Sequence, residues 1–280
     1  MNREDLFRLI LAKKSFLCVG LDSDIHKIPT HLLASDDPVF EFNRQIIDAT
    51  LDLAVAYKPN LAFYESRGLK GLRSLHRTME YLDQFKEQVF TIADAKRGDI
   101  GNTSGQYAIG VFDKASSGFS FDAVTVSPYM GEDSVRPFLE FKGKWAIVLA
   151  LTSNKGANNF QLTTQDHSEE RLFERVLRMT QSWGTFDNMM YVVGATQANM
   201  LSGIRKIIPG HFLLVPGVGA QGGSLAEVVE FGMNDHVGLL VNASRSILFA
   251  SDKQDFADKA REETLTVQLV MKDLLSKKGF

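Results

Sequence analysis

Eight times in 280 residues a short apolar run is followed by a segment of helical periodicity, and no Pro/Gly/Ser-rich linker or low-complexity tract interrupts the alternation. Strands separated by helices pair in parallel, because a parallel neighbour is reached only through a crossover. The runs are residues 15–22, 53–58, 89–93 with a charged continuation, 121–127, 145–152, 191–194, 212–215 and 237–241. The helical segments include one opened by Asp36-Asp37-Pro38, with Phe40, Ile46, Ile47 and Leu51 at helical spacing, and then 69–85, 103–114 and 134–141. They continue with 167–183, striped by Leu172, Val176 and Met179, then 200–207, 225–231 and a long last helix over 254–276. Eight such repeats predict a (β/α)8 TIM barrel filling residues 1–280 as a single domain, preceded by a short amphipathic helix. A doubly wound sheet is the alternative. The barrel is favoured because its active site draws on the C-terminal ends of many strands, and Asp22, Lys58, Asp94, Lys96, Ser153 and Arg245 fall at such ends.

The richest of these ends is Asp94-Ala95-Lys96-Arg97-Gly98-Asp99-Ile100-Gly101-Asn102-Thr103. If extended geometry persists, Phe90, Ile92, Asp94 and Lys96 share one side, so two apolar residues lead into two charges. The glycine at 98 permits a tight turn, and Asn102-Thr103 is a helix N-cap candidate. A solvated loop would carry charge as well, but not an acid, a base and a second acid at spacings of two and three. On the second strand Ala54, Ala56 and Lys58 share a face, with the small alanines leaving room beside the lysine.

Two further stretches suit an anion. Pro216-Gly217-Val218-Gly219-Ala220-Gln221-Gly222-Gly223 follows the seventh run, where glycines let backbone N–H groups approach a ligand. Asn242-Ala243-Ser244-Arg245 follows the eighth, and its guanidinium offers a fixed fork of donors. Loops after strands seven and eight form the usual phosphate cup of this barrel, so a phosphorylated small molecule is expected.

Other chemistries find little support. The six histidines show no pair at tight ligand spacing. Asp94 and Asp99 could hold magnesium, but Lys58 and Lys96 would place positive charge beside it. No G-x-S-x-G elbow occurs. The formal net charge of -3 gives no bulk case for nucleic acid or a membrane surface. The start of the chain is too short and too charged in its apolar part for a signal peptide, and the longest strongly apolar run, 145–151, is far short of a membrane span. The single cysteine, Cys18, reads as a small buried strand residue and suits a reducing, cytoplasmic setting.

Taken together, Asp94-x-Lys96-x-x-Asp99 with Ile100 and Thr103, Gly20-Leu21-Asp22, Lys58-Pro59-Asn60, the run from Pro216 to Gln221, and Arg245 resemble the orotidine 5'-phosphate decarboxylase family, most closely its longer bacterial subgroup. The resemblance spans Asp22 to Arg245 in the right order. It implies a (β/α)8 barrel, a homodimer, no cofactor or metal, and formation of uridine 5'-monophosphate from orotidine 5'-phosphate in the last step of de novo pyrimidine synthesis. It also implies that Asp94, Lys96 and Lys58 form the charged array of one subunit, with Lys96 the proton donor. Asp99, Ile100 and Thr103 would belong to the shared site, with Asp99 and Thr103 reaching into the partner's half. Asp22 and Lys58 would bind the ribose region, Ser153 the pyrimidine, Pro216 the pocket wall, and Gln221 and Arg245 the phosphate. One departure is Ser244, where many relatives have glycine. The competing readings are a magnesium-dependent sugar-phosphate decarboxylase or aldolase of the same barrel group, and a nucleotide sensor without catalysis.

Overall fold

The computed structural model describes residues 1–164, 168–218 and 223–280. Eight strands close into a barrel in sequence order: β1 Leu17–Leu21, β2 Ala56–Pro59, β3 Phe90–Arg97, β4 Ala123–Val126, β5 Trp145–Leu151, β6 Met189–Val193, β7 Phe212–Pro216 and β8 Leu239–Ala243. Every pairing is parallel, and β8 returns to β1 through Leu17↔Val241. Such strands are covered on both faces, which is why β5 reads Trp-Ala-Ile-Val-Leu-Ala-Leu instead of alternating apolar with polar.

Helices lie outside the barrel, and several begin where sequence signals place them. Asp37 accepts from the Phe40 N–H and Pro38 occupies the first turn of the Pro38–Thr50 helix. The helix buries Val39, Phe42, Ile46 and Ile47, so Phe40 and Leu51 sit at the margin of its apolar face. The Arg3–Lys13 helix opens with a capping box between Asn2 and Asp5, and the Phe256–Lys277 helix closes the chain.

Three local expectations change. The Leu172–Thr180 helix is shorter than residues 167–183, and His167 lies outside the described residues. Its buried face is Phe173, Leu177 and Thr180; Met179 is exposed, while Leu172 and Val176 border a separate apolar hollow with Phe160. Residues 134–141 divide into a 3-10 turn, Glu132–Ser134, and a single helical turn, Arg136–Leu139, because Pro137 has no N–H to carry a longer ladder back. The helix after β3 begins at Gly101 with Ile100 as N-cap, so Asn102 and Thr103 stand inside its first turn.

Candidate active site at the barrel mouth

The C-terminal ends of β1, β2, β3, β7 and β8 converge on a cavity of about 160 Å³ whose wall includes Asp22, Lys58, Asp94, Pro216, Asn242 and Arg245. A larger hollow, about 630 Å³, sits at the opposite end of the barrel beside Met1 and Asp122 and holds none of the strand-end residues singled out above.

The centre of the mouth is a carboxylate held by two ammonium groups. Lys58 Nζ donates to Asp94 Oδ2 at 2.7 Å, and Lys96 Nζ donates to Asp94 Oδ1 at 2.6 Å. Burial alone would raise the Asp94 pKa, but Lys58 and Lys96 together outweigh it and hold the carboxyl well below the usual carboxylate range. Burial likewise works against the Lys58 cation, yet Asp94 and Asp22 reverse the balance and push its pKa up. Lys58 is nearly inaccessible, whereas Lys96 has 52% of its side chain exposed. The buried cation therefore lies on the cavity wall, and the exposed one reaches Asp94 from the solvent side.

Asp22 completes this side. Its Oδ1 lies 3.9 Å from Lys58 Nζ and is buried without a hydrogen-bond partner among the described residues. A buried acceptor without a partner is costly, and a hydroxyl brought to the cavity would satisfy it. The backbone just before it is fixed from behind: Tyr64 Oη donates to the Leu21 carbonyl at 3.1 Å and accepts from Asn43 Nδ2 at 2.9 Å.

The end of β3 departs from regular extension. The β3–β4 register runs Ile92↔Ala123 and Ala93↔Val124, then jumps to Arg97↔Val126. Lys96 lies within the jump with φ of 46°, the left-handed region that a side-chain-bearing residue enters at a cost of roughly 1 to 3 kcal/mol. Simple alternation therefore fails at Lys96, and its side chain meets Asp94 through this irregularity. Gly98 serves a close approach in place of a left-handed turn, since a Cβ there would stand 2.8 Å from the Ser127 carbonyl oxygen. The positive φ falls instead on Gly101, at 41°.

Toward β7 and β8, Pro216 and Arg245 border the same cavity, and Arg245 is exposed with no ion pair among the described residues. Gln221 lies outside the described residues. Ser244 has φ of -123°, so it does not take the left-handed conformation that would call for glycine. Its hydroxyl accepts from Asn242 Nδ2 at 3.2 Å and lies 1.9 Å from where a Cβ on Gly20 would stand, so a side chain at position 20 would have to displace it.

Not every expected residue joins this group within one chain. The Asp99 carboxylate accepts from the neighbouring Ile100 N–H at 2.7 Å and makes no ion pair with Lys96. Ile100 and Thr103 are exposed on the rim. Ser153, half-buried after β5, lies against Gly194, and its carbonyl accepts from Thr196 Oγ1 at 3.5 Å. One residue at the mouth escapes a sequence reading: Thr125 sits between two valines on β4, where a β-branched residue reads simply as a strand former.

Fold and mouth define a (β/α)8-barrel enzyme whose strand ends present a Lys–Asp–Lys array, with Arg245 on the cavity wall. Residues 15–260 match the model of the Orotidine 5'-phosphate decarboxylase / HUMPS family, and the chain belongs to that family. Orotidine 5'-phosphate decarboxylase of Parabacteroides distasonis is 59% identical over 279 residues, covering 100% of this chain and 98% of its own. The enzyme of the same name from Flavobacterium johnsoniae is 56% identical over 278 residues, covering 99% and 100% respectively. Among solved structures, Leishmania donovani OMP decarboxylase superposes with a TM-score of 0.78 at 34% identity, covering 96% of this chain and 99% of that one.

Proposed function

We infer that this chain, acting as one barrel domain over residues 1–280, decarboxylates orotidine 5'-phosphate to uridine 5'-monophosphate and carbon dioxide, the last step of de novo pyrimidine synthesis. The observation that carries the reading is the Asp94 carboxylate held at 2.7 and 2.6 Å by Lys58 and Lys96, with family membership beside it. The C6–carboxyl bond breaks and leaves its electron pair in a ring-plane orbital that the pyrimidine π system cannot delocalise. Charges already in place must then do the stabilising. The Lys96 ammonium offsets the developing carbanion and passes a proton from Nζ to C6, after which the neutral amine regains a proton from water. Asp94 keeps that ammonium oriented through the 2.6 Å hydrogen bond, and its own charge crowds the substrate carboxylate that must depart.

The rest of the substrate is held away from the reacting bond. The open Asp22 Oδ1 suits a ribose hydroxyl, with Lys58 alongside. Pro216 lines the pocket, Gln221 and Arg245 take the phosphate, and Ser153 takes the pyrimidine. A homodimer completes the site: Asp99 and Thr103 reach the partner's mouth from the rim, and Ile100 beside them contacts substrate. Ile100 is 60% and Tyr129 86% exposed, apolar surface that such a contact would cover. No helix among the described residues is long and apolar enough to cross a membrane. The buried, unpaired Cys18 and a soluble nucleotide substrate fit a cytoplasmic enzyme without nucleic-acid partners.

The test is the ultraviolet absorbance change on mixing purified protein with orotidine 5'-phosphate, with and without a chelator. Turnover that survives chelation supports the reading. Activity that requires magnesium, on a sugar phosphate and not on this nucleotide, would replace it with the aldolase-type alternative.

A further inference from the structure

The structure assigns Thr125 of β4 as a positioning residue for Lys96 and Asp94, an inference that rests on Lys96 being the proton donor. Thr125 is buried, and its Oγ1 makes three hydrogen bonds. It donates to Asp94 Oδ1 at 3.0 Å and accepts from the backbone N–H groups of Ala95 at 3.0 Å and Lys96 at 2.9 Å. A hydroxyl has one hydrogen to give and two lone pairs to receive with, so its capacity is fully used.

The need for it lies in the strand irregularity. Between the pairs Ala93↔Val124 and Arg97↔Val126, β3 carries Asp94, Ala95 and Lys96 while β4 carries Thr125 alone. A regular ladder cannot serve three residues from one, and the surplus N–H groups would be left without acceptors. The Thr125 hydroxyl takes two of them. It thereby stabilises the left-handed backbone of Lys96 and, with its own hydrogen, fixes the carboxylate that holds the Lys96 ammonium. One side chain thus sets both the root and the tip of the same lysine. Threonine suits the task better than serine because its β-branch restricts χ1. Asp22, Pro216 and Arg245, which border the cavity from other strands, are untouched by it.

The division predicts a loss in the chemical step and not in binding. Thr125→Val keeps the shape and strand preference and removes the hydroxyl; kcat for orotidine 5'-phosphate is expected to fall at least tenfold while KM stays within threefold. Thr125→Ser restores the hydroxyl and is expected to return kcat to within threefold of wild type. Lys96→Ala, measured alongside, separates the two layers of the argument. If Lys96→Ala is inactive but folded Thr125→Val turns over within threefold of wild type, the positioning role is overturned and the proton-donor reading stands. If Lys96→Ala keeps substantial turnover, the donor reading itself fails. A raised KM with unchanged kcat in Thr125→Val, or an equal kcat loss in Thr125→Ser, would also overturn the assignment. Should the valine variant not fold, Thr125→Ala, which leaves room for water to cap the freed N–H groups, is read by the same limits. Failure of both to fold would show that the hydroxyl holds the strand, which overturns the specific role in placing the lysine.

Discussion

His211, at the start of β7 and far from the mouth, gives the chain a pH-dependent weakness of calculable size. Its ring is buried, and neither nitrogen has a hydrogen-bond partner among the described residues. Tyr191 packs edge-on at 5.3 Å and Phe186 at 6.4 Å between ring centroids. Burial, reinforced by Arg205 and Arg3, lowers its pKa from 6.5 to about 4. The group is therefore neutral when folded but free to protonate when unfolded. Its contribution to stability is full above about pH 6.5 and is lost as the pH falls toward 4, because the unfolded chain then binds the additional proton. At about 1.4 kcal/mol per unit the whole shift amounts to roughly 3 kcal/mol, of which about 2 kcal/mol is lost between pH 7 and pH 5. The assay is urea denaturation of wild type and His211→Leu at both values. Other groups titrate in both proteins, so the informative quantity is the change in their stability difference. That difference is expected to move about 2 kcal/mol in favour of the leucine variant at pH 5. Activity at neutral pH should persist, since the residue stands at the opposite end of β7 from Pro216. A stability difference unchanged between pH 7 and pH 5 would show that the ring already has a proton-accepting partner and that the reasoning is wrong.

The remaining expectations concern the mouth. Lys58→Met leaves Asp94 with one cation and sets it facing Asp22 without the intervening ammonium. Breaking a buried pair in this way should cost up to about 3 kcal/mol in denaturation experiments, less than an isolated buried charge because Lys96 remains. Stability equal to wild type would contradict the packing of charge described here. Arg245→Ala should lower kcat/KM roughly 10- to 100-fold, the value of one charge-assisted contact, and a wild-type kcat/KM would remove Arg245 from the phosphate site. Orotidine without its phosphate should lose kcat as well as affinity, because remote binding energy positions the reacting bond; equal efficiency of the two substrates would rule that out. Mixing Lys96→Ala with Asp99→Ala should regain part of the activity through hybrid dimers carrying one intact site, whereas no recovery would place the whole site within one chain.

Much of this arrangement is legible in the sequence. The eightfold alternation dictates the barrel, and placing Asp22, Lys58, Asp94 and Arg245 at strand ends brings them to one cavity because all strands of such a barrel point the same way. What escapes is whatever depends on breaking a period. The left-handed Lys96 has no signature, since a lysine after Asp-Ala looks the same in a straight strand or an irregular one. Thr125 is concealed by its own propensity, a polar group among valines where any β-branched residue would serve the strand. The buried face of the Leu172–Thr180 helix is ambiguous in the sequence because Leu172, Val176 and Met179 share the spacing of the buried set Phe173, Leu177 and Thr180, one residue out of phase. Asp99 and Thr103 stand apart from the Lys58–Asp94–Lys96 group within one chain, and the proposed dimer would supply their partners from a second copy.

The most direct measurement of the central claim is the turnover of purified, folded Lys96→Ala with orotidine 5'-phosphate, followed by absorbance. Loss of a preorganised charge at the reacting carbon predicts a fall in kcat of at least about 1,000-fold with the melting temperature preserved. A variant that kept a tenth or more of wild-type turnover would show that the proton comes from elsewhere and that the ammonium beside Asp94 is not the group on which the reaction turns.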